Sequence, residues 1–191
     1  MANGTIAVSQ LEILTQTGTG IITVVPPATN TNRTLTLPDV TGTLAVQGGT
    51  GVGKVLQVVQ GTTQTSVSTT STSYVTTNLT ASITPTSATS KVLVLFSISG
   101  YNDTAGGQSI ATVFRGTVAG TNLGATNSSG FGAAFSGAGE TMSNISGIIL
   151  DSPSTTSATT YTVGFKRKTT GTAYVLVDGQ LATLTLMEIA A

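Results

Sequence analysis

The sequence predicts an all-β chain: a short N-terminal β module followed by a C-terminal antiparallel β-sandwich. Threonine and valine are abundant, and side chains branched at Cβ lose rotamers in a helix but pack well on a pleated surface. No window carries an apolar stripe of 3.6-residue period with charges on the opposite side. Turn residues recur at short intervals, which suits many short strands.

Residues 1–47 read as one unit. Ile6–Val8 and Leu11–Leu14 are short strand candidates, punctuated by Gly18 and Gly20. Ile21–Val25 is a strand stopped by Pro26 and Pro27. Arg33–Leu37 alternates with period two, so Leu35 and Leu37 share a face, and Pro38 ends the run. Residues 48–54 are glycine-dense and read as a linker. Residues 55–191 then form the sandwich. Val55–Val59 opens it, and residues 61–73 are almost pure Thr, Ser and Gln, either flexible or an extended strand held by neighbours. Leu79–Ile83 is followed by Lys91–Ser99, the most apolar strand, expected to be buried on both faces. Ile110–Arg115, Ser146–Leu150 and Tyr161–Lys168 are further strands, and residues 120–140 read as a long loop. Tyr174–Val177 and Leu181–Ile189 flank Asp178-Gly179, a tight-turn signal. Seven or eight strands over this length suit a jelly-roll-like sandwich.

Composition removes most of the usual means of catalysis. The 191 residues include no histidine, cysteine or tryptophan, and 7% are charged. Without imidazole or thiolate, Ser/His/Asp and Cys/His chemistry is excluded. Seven Lys+Arg balance seven Asp+Glu, so no basic excess exists to neutralise phosphates and no nucleic-acid partner is expected. The longest apolar run, Val92–Phe96, is too short for membrane insertion. No signal peptide is visible at the N-terminus. A chain with so little charge is poorly protected against self-association, so assembly with its own copies is expected.

Gly48-Gly-Thr-Gly-Val-Gly53-Lys54 has the glycine-lysine spacing of a phosphate loop. Val55 stands where a magnesium-holding hydroxyl belongs, and a strand follows where a helix N-terminus is needed. A hinge is the better reading. Glycosidases work with paired acids, yet each carboxylate here has a local role, apart from Asp103 and Glu140 in loops, and no pair stands out. No Asp-x-Asp-x-Asp run marks a cation site, so no catalytic, cofactor or metal residue is assigned. Lys166-Arg167-Lys168 alternates across a strand and reads as a solvated hairpin tip. Most aromatics are core candidates. Phe131 and Phe135, in the Gly/Ala/Ser loop 120–140, and Asn102 and Asp103, in the loop 101–108, are the candidates for surface recognition.

Two segments carry a family resemblance. Arg33-Thr-Leu35-Thr-Leu37-Pro38-Asp39-Val-Thr-Gly42-Thr-Leu44, with the glycines after it, resembles a module of tailed-phage fibre proteins. Leu150–Val163 and Leu184–Ala190 are similar to segments of fibre-like virion proteins of cyanophages and marine phages. The resemblance covers about a third of the chain. It implies homotrimeric assembly, with the N-terminal module and its residues Arg33, Leu35, Leu37, Pro38, Asp39 and Gly42 serving attachment or trimerisation. The length leaves no room for a long shaft. The expectation is therefore a non-enzymatic virion protein on the phage particle surface: a short trimeric tail fibre or fibre-like receptor-binding protein, contacting other tail or capsid proteins and a host cell-surface glycan. The alternative is a capsid cement or decoration protein that clamps capsid subunits with its N-terminal arm.

Overall fold

The computed structural model describes the backbone of Leu11–Leu14 and Ile21–Val24, and residues 54–125, 129–137 and 141–191 in full. The chain divides into two compact units, Met1–Val46 and Gln47–Ala191. In the first, β1 (Leu11–Leu14) pairs antiparallel with β2 (Ile21–Val24), Leu11 opposite Val24. Arg33, Leu35, Leu37, Pro38, Asp39 and Gly42 lie outside the described residues, as do Ile6–Val8 and Glu140.

The second unit is two antiparallel sheets face to face. The larger holds β3 (Val55–Thr63), β4 (Val67–Thr69), β6 (Lys91–Asn102), β10 (Ser143–Asp151), β12 (Ala173–Val175) and β13 (Ala182–Ile189). The smaller holds β5 (Val75–Ile83), β7 (Gln108–Arg115), β8 (Thr121–Asn122), β9 (Gly132–Phe135) and β11 (Thr159–Arg167). Several of these are pieces of one broken strand. β12 and β13 lie end to end along the same edge of β6, opposite Gly100–Asn102 and Lys91–Ser97. β3 and β4 follow them in line, paired with β13 and β12. β8 and β9 likewise share one edge of β7. Each sheet is therefore four strands wide: β3/β4, β13/β12, β6, β10 in one and β5, β11, β7, β8/β9 in the other.

Period-two alternation buries one face of β5, β6 and β13, while β7 and the middle of β11 are buried on both faces. Val92, Val94, Phe96 and Ile98 of β6 meet Leu79, Ala81 and Ile83 of β5 and Tyr161, Val163 and Phe165 of β11 in one core, closed by Ile145, Leu184 and Leu186. Two expectations need correction. Lys91–Ser99 is not buried on both faces: Leu93 and Leu95 point out of the sandwich and are half-buried. Residues 120–140 are not all loop, because β8 and β9 form the edge of the smaller sheet. The Thr/Ser/Gln stretch after Gly61 is held as the end of β3 and as β4. Lys54 leads directly into β3, a strand where a phosphate loop requires a helix.

Two buried carboxylates fasten the frame at the end where the chain enters. Asp151 of β10 accepts bonds from Arg115 (3.2 Å) and the Tyr161 hydroxyl (2.8 Å), tying the larger sheet to the smaller. Glu188 of β13 accepts from Gln57 Nε2 at 2.6 Å and from Thr86 N and Oγ1, both at 2.7 Å.

Candidate functional site

Antiparallel connectivity sorts the connections to two ends. Those at residues 70–74, 103–107 and 168–172, and the one between β9 and β10, gather at one end. Lys54 and the connections at 84–90, 116–120 and 152–158 lie at the other, where Ala190 N donates to Lys54 O at 2.9 Å. The twelve residues of β6 separate the ends by about 40 Å.

Asn102, at the tip of β6, is the fastener of the loop end. It is fully buried, so it is not the exposed recognition group that its position in the sequence implies. Its amide nitrogen donates to Thr170 O and its side-chain oxygen accepts from Thr104 N, each at 3.0 Å. Its backbone N donates to Ser136 Oγ at 3.0 Å, and Ser136 Oγ donates back to Asn102 O. One residue thereby ties three connections, two through its side chain and the third through its backbone. Gly107 and Gly171 make this possible: a Cβ on either would sit 2.0 or 2.3 Å from Asn102 Oδ1, and Gly171 adopts φ +73°.

Asp103 is exposed, and it braces the same loops. Its Oδ1 accepts from Thr172 N at 2.7 Å and from Thr104 Oγ1 at 3.0 Å. The bond from Thr172 N comes first among the contacts that hold its carboxyl below the usual range. Phe131 packs edge-on against Phe96 with ring centres 5.5 Å apart, so it is largely a core group. Phe135 is 54% exposed and stands free on the edge strand β9. Of the four recognition candidates, Phe135 and Asp103 are thus on the surface, Phe131 is partly buried against the core, and Asn102 is held inside.

Sequence reasoning missed a tyrosine pair at this end. Tyr101 of β6 and Tyr174 of β12 are cross-strand partners whose rings stack at 4.8 Å and 10°. Beside them Tyr101, Met142, Val177 and Asp178 line a cleft of about 280 Å³. Both tyrosines are half-exposed, whereas the sequence placed them among core candidates. Outward alternation from Leu93 and Leu95 through Ser97 and Ser99 to Tyr101 was the signal that could have found them. Lys166 and Arg167 do point to opposite faces: Lys166 Nζ lies 4.5 Å from the centre of the Tyr74 ring, and Arg167 Nη1 donates to Gly171 O at 3.1 Å.

The middle of the larger sheet's outer face carries an open trough of about 650 Å³, bordered by Leu95, Ser97, Ser146, Ile148, Thr183 and Thr185. Gly147 opens it inward, since a Cβ there would sit 2.5 Å from Phe96 and 2.7 Å from Phe131. Among the described residues, no three His, Cys, Asp or Glu side chains cluster as metal ligands, and no helix is long and apolar enough to cross a membrane. The chemistry on display is hydrogen bonding, aromatic stacking and apolar contact. No protein-family model matches the chain, and no curated protein matches it in sequence.

Proposed function

We propose that this chain is a structural component of a tailed-phage virion, a short trimeric tail fibre or fibre-like receptor-binding protein on the particle surface. The polarity of the sandwich carries this reading. The described part of the second unit begins at Lys54, and its loops gather at the far end of β6, about 40 Å away. Attachment through residues that precede Lys54 would leave the loops at the opposite end of β6 free to meet the host. Those loops are fastened internally by Asn102, Ser136 and Asp103, so they would meet a ligand with little ordering cost. Tyr101, Tyr174 and Phe135 offer aromatic faces to a cell-surface glycan, and Asp178 accepts from sugar hydroxyls. The strand order of the two sheets supports reading the sandwich as a jelly roll. The resemblance of Arg33–Leu44 to fibre modules supports attachment by the first unit.

Gold-labelled antibody against the chain, applied to intact particles from a lysate that expresses it, tests the reading. Label at the tail is expected. Label spread over the capsid favours the decoration role, and unlabelled particles overturn both.

A further inference from the structure

We propose that the cleft beside Tyr101 is a binding site for a single uncharged sugar ring, with Asp178 as the hydroxyl acceptor that sets its specificity. The proposal deepens the receptor-binding reading and rests on it for the source of the sugar; the cleft itself is set by the fold.

One wall of the cleft is a bulge locked in place. β12 and β13 share one edge of β6, and residues 176–181 between them leave the sheet. Leu176 (φ 57°) and Asp178 (φ 59°) both take the left-handed conformation, which a leucine seldom adopts. Such a conformation persists only where its surroundings fix it. Here the Leu176 side chain is fully buried, and Gln64 Nε2 donates to Gly179 O at 2.8 Å. Gln180 accepts from Ser99 Oγ and donates to Met142 Sδ at 2.6 Å. That last bond ties the bulge to Met142, which lines the cleft with Tyr101, Val177 and Asp178.

Size and chemistry select the ligand. At about 280 Å³ the cleft falls just below the roughly 300–1,000 Å³ of small-molecule sites, which suits one ring and not a long chain. Tyr101, stacked on Tyr174 at 4.8 Å, brings an aromatic surface already fixed, and Met142 and Val177 add apolar area. Asp178 is exposed, and its carboxylate takes no hydrogen bond from the described residues. Two adjacent hydroxyls can meet its two oxygens while the C–H groups of the same ring meet the apolar surface. A sugar carries both on one rigid body.

Charge narrows the class. Among the described residues, Asp178 is the only charged side chain of the cleft, while Lys166 and Arg167 are engaged on the Tyr74 ring and Gly171 O. An acidic sugar would meet like charge with no cation in the cleft to offset it. A quaternary ammonium ion needs a cage of several rings, and Tyr101 is the only ring among the described lining residues.

Saturation-transfer difference NMR on the full chain tests the site. The neutral probes are the methyl glycosides of glucose, galactose and mannose, the acidic probes are the three corresponding uronides, and choline is the cationic probe. At least one neutral glycoside should bind with millimolar affinity, and its uronide about tenfold more weakly or worse. Asp178→Asn should weaken the neutral sugar about tenfold and narrow the gap to the uronide. Tyr101→Leu should abolish binding where Tyr101→Phe retains it. Thr80→Ala, on the outer face of the other sheet, should change nothing. Circular dichroism should be unchanged throughout, and since Asp178 is exposed its replacement leaves the fold intact. The proposal is overturned if no neutral glycoside binds, if a uronide or choline binds as tightly, or if Asp178→Asn has no effect. Label at the tail would then leave the virion reading standing. Sugar bound in the cleft of a protein whose particles stay unlabelled would sink the virion reading and leave this site.

Discussion

Glu188 shows how a single side chain can be costly in isolation and stabilising in context. It lies on the inner face of β13, fully buried, where desolvation alone would raise its pKa. The bonds from Gln57, Thr86 and Ser90 outweigh burial and hold its carboxyl at about 2. Replacement by Gln sets an NH2 group against donors that need acceptors. We expect Glu188→Gln to cost about 2 kcal/mol, seen as a melting temperature lower by roughly 4–8 °C. Asn102 is a fastener of a different kind, for loops and not for sheets. Removing its side chain in Asn102→Ala should speed amide hydrogen exchange at residues 103–107 and 168–172 well before it unfolds the sandwich. Uniform exchange across the sandwich would show that Asn102 holds the core instead. In sequence, Asn102-Asp103-Thr104 looks like any exposed Asx turn. What buries Asn102 is Thr170 and Ser136, 68 and 34 residues away, which no local pattern reveals.

At the scale of elements, strand positions were legible and strand continuity was not. The apolar and Cβ-branched runs Leu79–Ile83, Ile110–Arg115 and Tyr161–Lys168 located β5, β7 and β11, although only β5 buries a single face; β7 and the middle of β11 are buried on both. Asp178-Gly179 reads as a hairpin tip, yet β12 and β13 run in the same direction along one edge of β6. The intervening residues bulge out through a left-handed Leu176 (φ 57°) and Asp178 (φ 59°), and the buried Leu176 side chain anchors the excursion. A turn motif specifies a local bend, and pairing with β6 decides whether the chain reverses. Lys91–Ser99 misled because a continuous apolar run reads the same whether or not its second face is covered by the core. Glycine sets how closely the two sheets approach. A Cβ on Gly61 of β3 would sit 2.0 Å from Thr80 O of β5. Gly61→Ala should therefore push the strands apart and cost about 1–3 kcal/mol. Gly137, with nothing within 4 Å of its would-be Cβ, is the control and should be near neutral as Ala. Equal urea midpoints for the two variants would remove the close approach from the argument.

At the scale of the whole molecule, pairings such as β3 with β13, which closes the sheet between residues 55 and 189, depend on contacts that sequence periodicity cannot order. What composition does fix is the response to pH. The chain has no histidine, so no side chain with an unperturbed pKa near neutrality contributes to folding there. The acid edge belongs to Glu188, whose pKa falls from 4.5 unfolded to about 2 folded. A depressed carboxyl stabilises the fold fully above its unfolded pKa, and that contribution is lost as pH drops from 4.5 toward 2. Asp103 acts in the same direction. The alkaline edge belongs to Tyr161, whose pKa is raised from 10.0 chiefly by burial and then by its bond to Asp151. A raised group stabilises fully below its unfolded pKa, so this contribution declines as pH climbs beyond 10. Tyr74, raised by burial, adds to the same edge. Urea midpoints should thus form a plateau between about pH 5 and 9.5, falling on both sides. Glu188→Gln should lower the plateau and flatten its acid shoulder, and Tyr161→Phe should flatten the alkaline one. A midpoint that instead changes steeply between pH 6 and 8 would mean that a group other than these controls the fold.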